Sequence, residues 1–162
     1  MRGGIVMPGY FDSPEQSAGA FKDGWLLTGD LGYVDADGYL FLQGRSKELI
    51  ISGGFNVYPA EVENAMIKLP GVRECAVFGI ADEYWGERVE AAVCLVDGST
   101  ANSDTLRAQL KPLLGDVKTP KRIHLLSALP RNPVGKVVRR EVKALCHSHE
   151  NPIEHNAEAR SR

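Results

Sequence analysis

Apolar residues after position 48 follow two different periods, which together predict strands alternating with helices. Four short apolar runs are typical of strands: residues 49–51, 72–80, 89–96 and 123–126. Three segments indicate helices, one opened by Pro59, one capped at Ser103–Asp104 and ended before Gly115, and one over residues 137–146. This alternation predicts an α+β domain with a small mixed sheet flanked by helices.

The first 44 residues differ, because they are rich in glycine and hairpin signals. A short helix is expected from Pro14 to near Gly24, with Ser13 and Gln16 forming a capping box. A hairpin is expected around the turn Asp35–Gly38. We therefore expect a separate piece over 1–44, a domain over 45–146, and a disordered tail over 147–162, a polar segment without periodicity.

Composition narrows the function classes. The chain has 162 residues, 43% of them hydrophobic and 25% charged, with a formal net charge of −2, so nothing suggests nucleic-acid binding. No run reaches membrane-spanning length, and no signal peptide is evident. Cys75, Cys94 and Cys146 form no Cys-x-x-Cys pair and suggest buried thiols in a reducing compartment. The expected location is the cytoplasm. Three histidines in the tail could bind a metal, but their segment offers no fixed geometry.

The stretch from Gly44 to Glu63 combines a charged hinge, an apolar strand and a double-glycine turn. Gly53 and Gly54 permit positive φ and close approach by a ligand or a neighbouring strand. Asp30, after Thr28-Gly29, could accept hydrogen bonds from a ribose diol or could bond its own turn. Arg45 could bind a hydroxyl or a phosphate, although an exposed arginine is often only solvated.

Two groups of cations follow later in the chain. Lys136 lies in a loop that Pro130 and Pro133 stiffen, where an ammonium could meet developing phosphate charge. Its alternative is a surface lysine near a helix start. The cluster of Lys118, Lys121 and Arg122 could meet an anionic cofactor or form a solvated face. His124, inside an apolar strand, is more consistent with a structural than a catalytic role.

Three segments taken together resemble consecutive signatures of the adenylate-forming enzymes, in order and in spacing: residues 25–32, 44–63 and 129–136. This superfamily comprises acyl-CoA synthetases, adenylation domains of nonribosomal peptide synthetases and luciferases. The resemblance runs from about residue 3 to about residue 145. Met7–Phe11 and the helix after it look like the end of the large N-terminal domain of these enzymes.

The resemblance implies a role for each candidate. Asp30 and Arg45 would hold the ribose hydroxyls of ATP or AMP, and Lys47 would be the hinge residue. Lys136 would contact carboxylate and phosphate during adenylation. The remaining positions would serve CoA, with two glycines lining the passage for the pantetheine arm and three cations meeting the CoA phosphates: Gly53, Gly54, Lys118, Lys121 and Arg122. The complete enzyme would use ATP, CoA and Mg²⁺.

The family's phosphate loop and acyl pocket would belong upstream of residue 1. The resemblance therefore implies a lid domain whose partners are a missing large N-terminal domain, a carboxylic acid, and CoA or the pantetheine of a carrier protein. The implied activity is acid activation through acyl-AMP followed by thioester formation, and the isolated chain is expected to be inactive. A carrier-loading lid and a non-catalytic module complementing a large subunit remain alternatives.

Overall fold

The computed structural model describes residues 1–148, and its main feature is a five-stranded sheet. The chain divides into two units, Met1–Lys47 and Glu48–Arg162. The sheet belongs to the second unit and has strand order β6-β5-β8-β7, with β9 also pairing with β8. Its strands are β5 (Ile50–Ser52), β6 (Phe55–Val57), β7 (Val72–Asp82), β8 (Gly86–Leu95) and β9 (Arg122–Leu125).

The sheet is mixed, because β9 runs parallel to β8 whereas the other pairs are antiparallel. Helices α2 (Pro59–Met66) and α3 (Ser103–Lys118) share one apolar cluster with the sheet, which includes Val77 and Val89. Helix α4 (Arg139–Ser148) shares another cluster, which includes Phe78 and Ala92. Neighbouring strand residues thus face different clusters, as the pleat requires. The predicted α+β class with a small mixed sheet is confirmed.

The first unit contains helix α1 (Pro14–Ala20) and two small hairpins. One pairs β1 (Phe21–Lys22) with β2 (Trp25–Leu26), and the other pairs β3 (Asp30–Val34) with β4 (Leu40–Arg45). The β3–β4 hairpin was expected. No side chain within residues 1–47, all of which the structure describes, is buried.

Several sequence expectations need correction at helix ends. Helix α1 stops at Ala20 rather than near Gly24, and its Ser13 makes no side-chain cap. The cap of α3 is Asn102, whose side chain accepts a hydrogen bond from the Thr105 amide at 2.9 Å. A residue one position earlier than predicted thus satisfies the free amides of the first turn.

Helix α4 reaches Ser148, so the predicted tail does not begin at His147. The buried residues Val142 and Cys146 lie four apart on one face, and they hold the last turns of α4 against the sheet. The rest of the predicted tail, with two of its three histidines, His149 and His155, lies outside the described residues.

The residues between the apolar runs 72–80 and 89–96 are polar and predict a loop from Asp82 to Arg88. The structure corrects this expectation, because β8 already begins at Gly86. Strands β7 and β8 pair continuously up to Asp82 and Gly86, which leaves only a short turn. The polar side chains that suggested a loop have partners instead. The Glu87 carboxylate accepts a hydrogen bond from the Ile51 amide at 2.8 Å, and the Arg88 guanidinium donates to Glu90 at 2.6 Å.

Candidate functional site

A rigid loop before α4 presents Lys136. The Asn132 side-chain oxygen accepts a hydrogen bond from the Lys136 amide at 2.8 Å, and the Asn132 amide donates to the Lys136 carbonyl at 2.9 Å. Gly135, with φ of +84°, makes the tight reversal between them. The Arg131 guanidinium donates to the Gly135 carbonyl at 2.7 Å and pairs with Glu74 of β7. The loop backbone is therefore fixed to the sheet.

The side chain of Lys136 is exposed, and within residues 1–148 no carboxylate pairs with its ammonium group. Most other lysines and arginines near this loop are committed to protein partners. An uncommitted ammonium on a preorganised backbone can bind an anionic ligand without first breaking an internal ion pair.

Arg139, three residues later, is a hub that the sequence did not reveal. Its guanidinium donates to both carboxylate oxygens of Glu63 in α2, at 2.7 and 2.8 Å. It also donates to Glu48 at 2.9 Å and to the Val77 carbonyl at 3.3 Å. Only one sequence signal could have drawn attention to it, a cation at the start of a helix, where the helix dipole disfavours positive charge.

Asp30 and Arg45 lie directly opposite each other in the β3–β4 hairpin, so the structure brings these two predicted residues together. The Arg45 Nε lies 3.1 Å from an Asp30 carboxylate oxygen. The Thr28 hydroxyl accepts a hydrogen bond from the Asp30 amide at 3.1 Å, which fixes the strand entry. Both side chains keep hydrogen-bonding capacity, because a carboxylate has about four acceptor sites and a guanidinium has five donors.

A cleft of about 550 Å³ lies beside this pair within the first unit. Its lining includes two of the predicted residues, Arg45 and Lys47, but not Asp30. Lys47 itself is exposed and lies in the 3-10 turn Ser46–Glu48, and the boundary between the two units falls directly after it.

Gly53 and Gly54 form the two-residue turn between β5 and β6, with φ values of +57° and +81°. Such turns need positive φ at both positions, so a structural reason for both glycines exists. Gly53 has a second reason, because a Cβ there would lie 3.0 Å from the Trp85 ring. Gly54 faces open space, which leaves room for a ligand.

The three clustered cations occupy different environments. Lys118 pairs with Glu61 at 2.6 Å. The Lys121 ammonium lies 4.2 Å from the centre of the Trp85 ring and donates to the Asp116 carbonyl at 2.8 Å. Arg122 begins β9. The Lys121–Trp85 contact joins this cluster to the glycine turn, because Trp85 also packs on Gly53.

A second polar group that sequence reasoning missed lies inside the sheet. Glu90, on β8, is 1% exposed and accepts hydrogen bonds from Arg88 at 2.6 Å and from His124 at 2.8 Å. Burial alone would raise the pKa of Glu90, but the hydrogen bonds from His124 and Arg88 outweigh it and hold that pKa below its ordinary value. The structural interpretation of His124 agrees with this partner.

The three cysteines carry no disulfide, and burial raises the pKa of each thiol. The pKa of Cys75 rises to about 12 and that of Cys146 to about 11. Such thiols are protonated at neutral pH and are poor nucleophiles. Residues 1–148 contain no group of three His, Cys, Asp or Glu side chains arranged to hold a metal ion. None of the helices in that range combines the length and apolar character needed to cross a membrane.

Comparison with known proteins gives the family. Residues 61–136 match the AMP-binding enzyme C-terminal domain. This range includes most of α2, the strands β7, β8 and β9, and the Lys136 loop. The chain carries an AMP-binding enzyme C-terminal domain. This finding confirms the family resemblance seen in the three sequence signatures.

Its relatives are ligases. Over 91% of its length the chain is 44% identical to the sulfoacetate–CoA ligase of Cupriavidus necator, and it covers 29% of that enzyme. It is 45% identical, over 83% of its length, to the fatty acid–[acyl-carrier-protein] ligase ScoC of Streptomyces coeruleorubidus, and it covers 26% of that protein. The chain thus spans less than a third of these relatives.

A solved structure agrees with both. The o-succinylbenzoate CoA synthetase (MenE) of Bacillus subtilis, in complex with the acyl-adenylate intermediate OSB-AMP, superimposes with a TM-score of 0.82 at 39% identity. The superposition covers 88% of this chain and 29% of the synthetase. The chain corresponds to the C-terminal portion of an acyl-CoA ligase family member.

Proposed function

We propose that the chain is the lid-bearing part of an ATP-dependent acyl-CoA synthetase, which activates a carboxylic acid through acyl-AMP and then transfers it to CoA. The observation that carries the proposal is the exposed ammonium of Lys136, unpaired within residues 1–148, on a loop that Asn132 and Arg131 hold rigid. The ligase relatives support the reaction class.

In the first half-reaction, the acid carboxylate attacks the α-phosphate of ATP and releases pyrophosphate. As the new O–P bond forms, negative charge moves onto the non-bridging oxygens of the α-phosphate and onto the oxygen of the leaving pyrophosphate. The Lys136 ammonium would stabilise this charge, because its loop needs no rearrangement to present it. Asp30 would accept hydrogen bonds from the ribose hydroxyls while Arg45 donates to them, and their mutual ion pair would orient both groups.

In the second half-reaction, the CoA thiol attacks the acyl carbon and AMP leaves. Lys47 would act as the hinge that exchanges the Lys136 loop for the CoA-binding face, since the boundary between the two units falls beside it. The pantetheine arm would pass the open side of Gly54. Lys118, Lys121 and Arg122 would meet the CoA phosphates, and Mg²⁺ would accompany ATP in the complete enzyme.

A second acceptor has specific support. The ScoC relative loads an acyl carrier protein according to its name, at an identity equal to or above that of the CoA ligases. The pantetheine arm is common to CoA and carrier proteins, so the same glycine turn would serve either one. The chain by itself would be inactive, or would complement a separate large subunit, because the relatives are about three times its length.

The test joins this chain to the rest of a relative whose acyl-adenylate intermediate is known. A chimera in which residues 1–162 replace the corresponding 29% of the Bacillus subtilis o-succinylbenzoate CoA synthetase should form OSB-AMP from acid and ATP, and then the CoA thioester. Single-turnover kinetics would follow each half-reaction separately. The isolated chain, assayed in parallel, should give no ATP–pyrophosphate exchange.

Lys136→Ala in the chimera should slow adenylation by about 10²–10³, the usual cost of removing one preorganised donor. Thioester formation from supplied OSB-AMP should stay nearly unchanged. Lys136→Arg should not restore adenylation, because the planar fork replaces a compact ammonium. Adenylation within about threefold of the unsubstituted chimera would contradict the role of Lys136. A folded chimera that binds ATP but forms no OSB-AMP would contradict the proposed function.

A further inference from the structure

The first residue of α4, Arg139, breaks a local electrostatic rule. The amide groups at a helix N-terminus carry partial positive charge, so a cation there is electrostatically disfavoured. Its neighbour Arg140 is exposed and points to no described partner, whereas Arg139 is only 29% exposed. A cation held partly buried at an unfavourable position needs strong compensation from elsewhere in the fold.

Two carboxylates supply that compensation, and they come from different elements of the fold. Glu63 lies in α2 and binds Arg139 through both oxygens, while one of these oxygens also accepts the Val77 amide at 2.9 Å. This cluster packs α2, β7 and α4 together and explains the fold. Glu48 lies in none of these three elements, because it ends the 3-10 turn Ser46–Glu48, at the start of the second unit.

The Arg139–Glu48 pair therefore joins two functional segments. On one side, only two residues separate Arg139 from Lys136, and the Val138 amide between them bonds to the Pro130 carbonyl at 2.9 Å. On the other side, Glu48 is the neighbour of Lys47. The charged hydrogen bond from Arg139 to Glu48, 2.9 Å long, therefore connects the Lys136 loop to the residue that follows the hinge.

We propose that Arg139 is a positioning residue which, through Glu48, sets the Lys136 loop relative to the hinge for the adenylation step. This inference rests on the proposed function. When the chain rotates at Lys47, the Lys136 loop and Glu48 would then move together as one rigid body. Without the ion pair, flexibility in the segment after the hinge would take up part of the rotation. Loss of the tie would leave the fold intact and place Lys136 imprecisely.

The experiment uses the same chimera and compares Glu48→Gln with Arg139→Gln and their double variant. Glu48→Gln is the decisive substitution, because the Arg139–Glu63 packing contact survives it. Exposed neighbours on α4 provide matched controls, Glu141→Gln for the carboxylate and Arg140→Gln for the guanidinium. Each variant is measured for OSB-AMP formation, for thioester formation from supplied OSB-AMP, and for its urea unfolding midpoint.

Glu48→Gln should slow adenylation about tenfold, which corresponds to about 1.4 kcal/mol. Thioester formation should stay within about twofold. Arg139→Gln should slow adenylation and lower the unfolding midpoint, and the double variant should slow adenylation no more than Arg139→Gln alone, since both remove one coupled interaction. Glu48→Asp should recover part of the loss, because it keeps the charge.

Three results would overturn the proposal: adenylation by Glu48→Gln equal to that of Glu141→Gln, an equal fall in both half-reactions, or full additivity in the double variant. If Glu48→Gln behaves like Glu141→Gln while Lys136→Ala still slows adenylation, the proposed function stands and only the role of Arg139 is rejected. A silent Lys136→Ala would reject both.

Discussion

At the scale of single residues, Glu90 is the most deeply buried ionised side chain that the structure describes, and its contribution to stability can be tested by substitution. Its carboxylate sits between Arg88 and His124 and is 1% exposed. A charge in this position is tolerated because both partners donate directly to it. Removing the charge would leave two donors facing a weaker acceptor.

Glu90→Gln should lower the free energy of unfolding by about 2–3 kcal/mol at neutral pH, the range for losing hydrogen bonds to a charged group. The pKa of Glu90 is lowered from 4.5, so the folded state favours the charged form. Its stabilisation is therefore full at higher pH and is lost as pH falls through the folded-state pKa. Urea unfolding at several pH values should show the difference from wild type shrinking below about pH 4.5. The exposed Glu83→Gln offers a control without this pH dependence.

Thiol chemistry gives another residue-scale expectation. With a pKa near 12, Cys75 holds very little thiolate at pH 8. Alkylation of the folded chain by iodoacetamide should therefore be at least about 100-fold slower than that of free cysteine, while the urea-unfolded chain should react at the ordinary rate. Fast labelling of the folded chain, located by peptide mass mapping, would show that the burial around Cys75 is not maintained in solution.

Sequence reasoning reached some of these residues and could not reach others. Lys136, Asp30 and Arg45 stand within contiguous motifs, so their neighbours in the chain pointed to them. Arg139 and Glu90 gain their partners from segments up to 91 residues away, and no local pattern encodes such pairs.

At the scale of elements, the two adjacent glycines of the β5–β6 turn have different surroundings. Gly53→Ala should cost about 2–3 kcal/mol, because a positive φ is strained for alanine and its Cβ would press on the Trp85 ring at 3.0 Å. Gly54→Ala should cost only about 1 kcal/mol, because it faces open space. Urea unfolding measures both, and near-UV circular dichroism should change for Gly53→Ala alone. Equal losses of stability for the two variants would mean that the Trp85 ring moves aside without a measurable cost.

The elements themselves were predictable where one face is apolar and the other polar. Helices α2 and α4 follow that rule. The cores of β7 and β8 are buried on both faces and were predictable instead as continuous apolar runs. The start of β8 was missed, because Glu87 and Arg88 are polar and resembled a loop, although both find partners within the sheet. The β1–β2 hairpin was missed because two-residue strands carry no periodicity.

At the scale of the whole molecule, the two units differ in how they bury apolar side chains. The second has two apolar clusters, whereas the first exposes large apolar residues such as Phe11, Trp25, Leu40 and Leu42. The full chain should therefore self-associate as its concentration rises, and residues 48–162 alone should not. Sedimentation velocity over a range of concentrations would measure this. A monodisperse full chain at high concentration would contradict the prediction.

The pairing of β8 has a consequence for how much of this chain can be removed. One side of β8 is covered along its length by β7, but the other is divided, with β5 at Gly86 and β9 from Glu90 to Val93. Because β9 comes some thirty residues later in the chain, a truncation before Arg122 would strip the middle of the central strand of its hydrogen-bonding partner. The open edge would offer unsatisfied amides and carbonyls to any other strand. Shortened versions that end inside α3 should therefore form amyloid-like aggregates rather than a smaller folded domain.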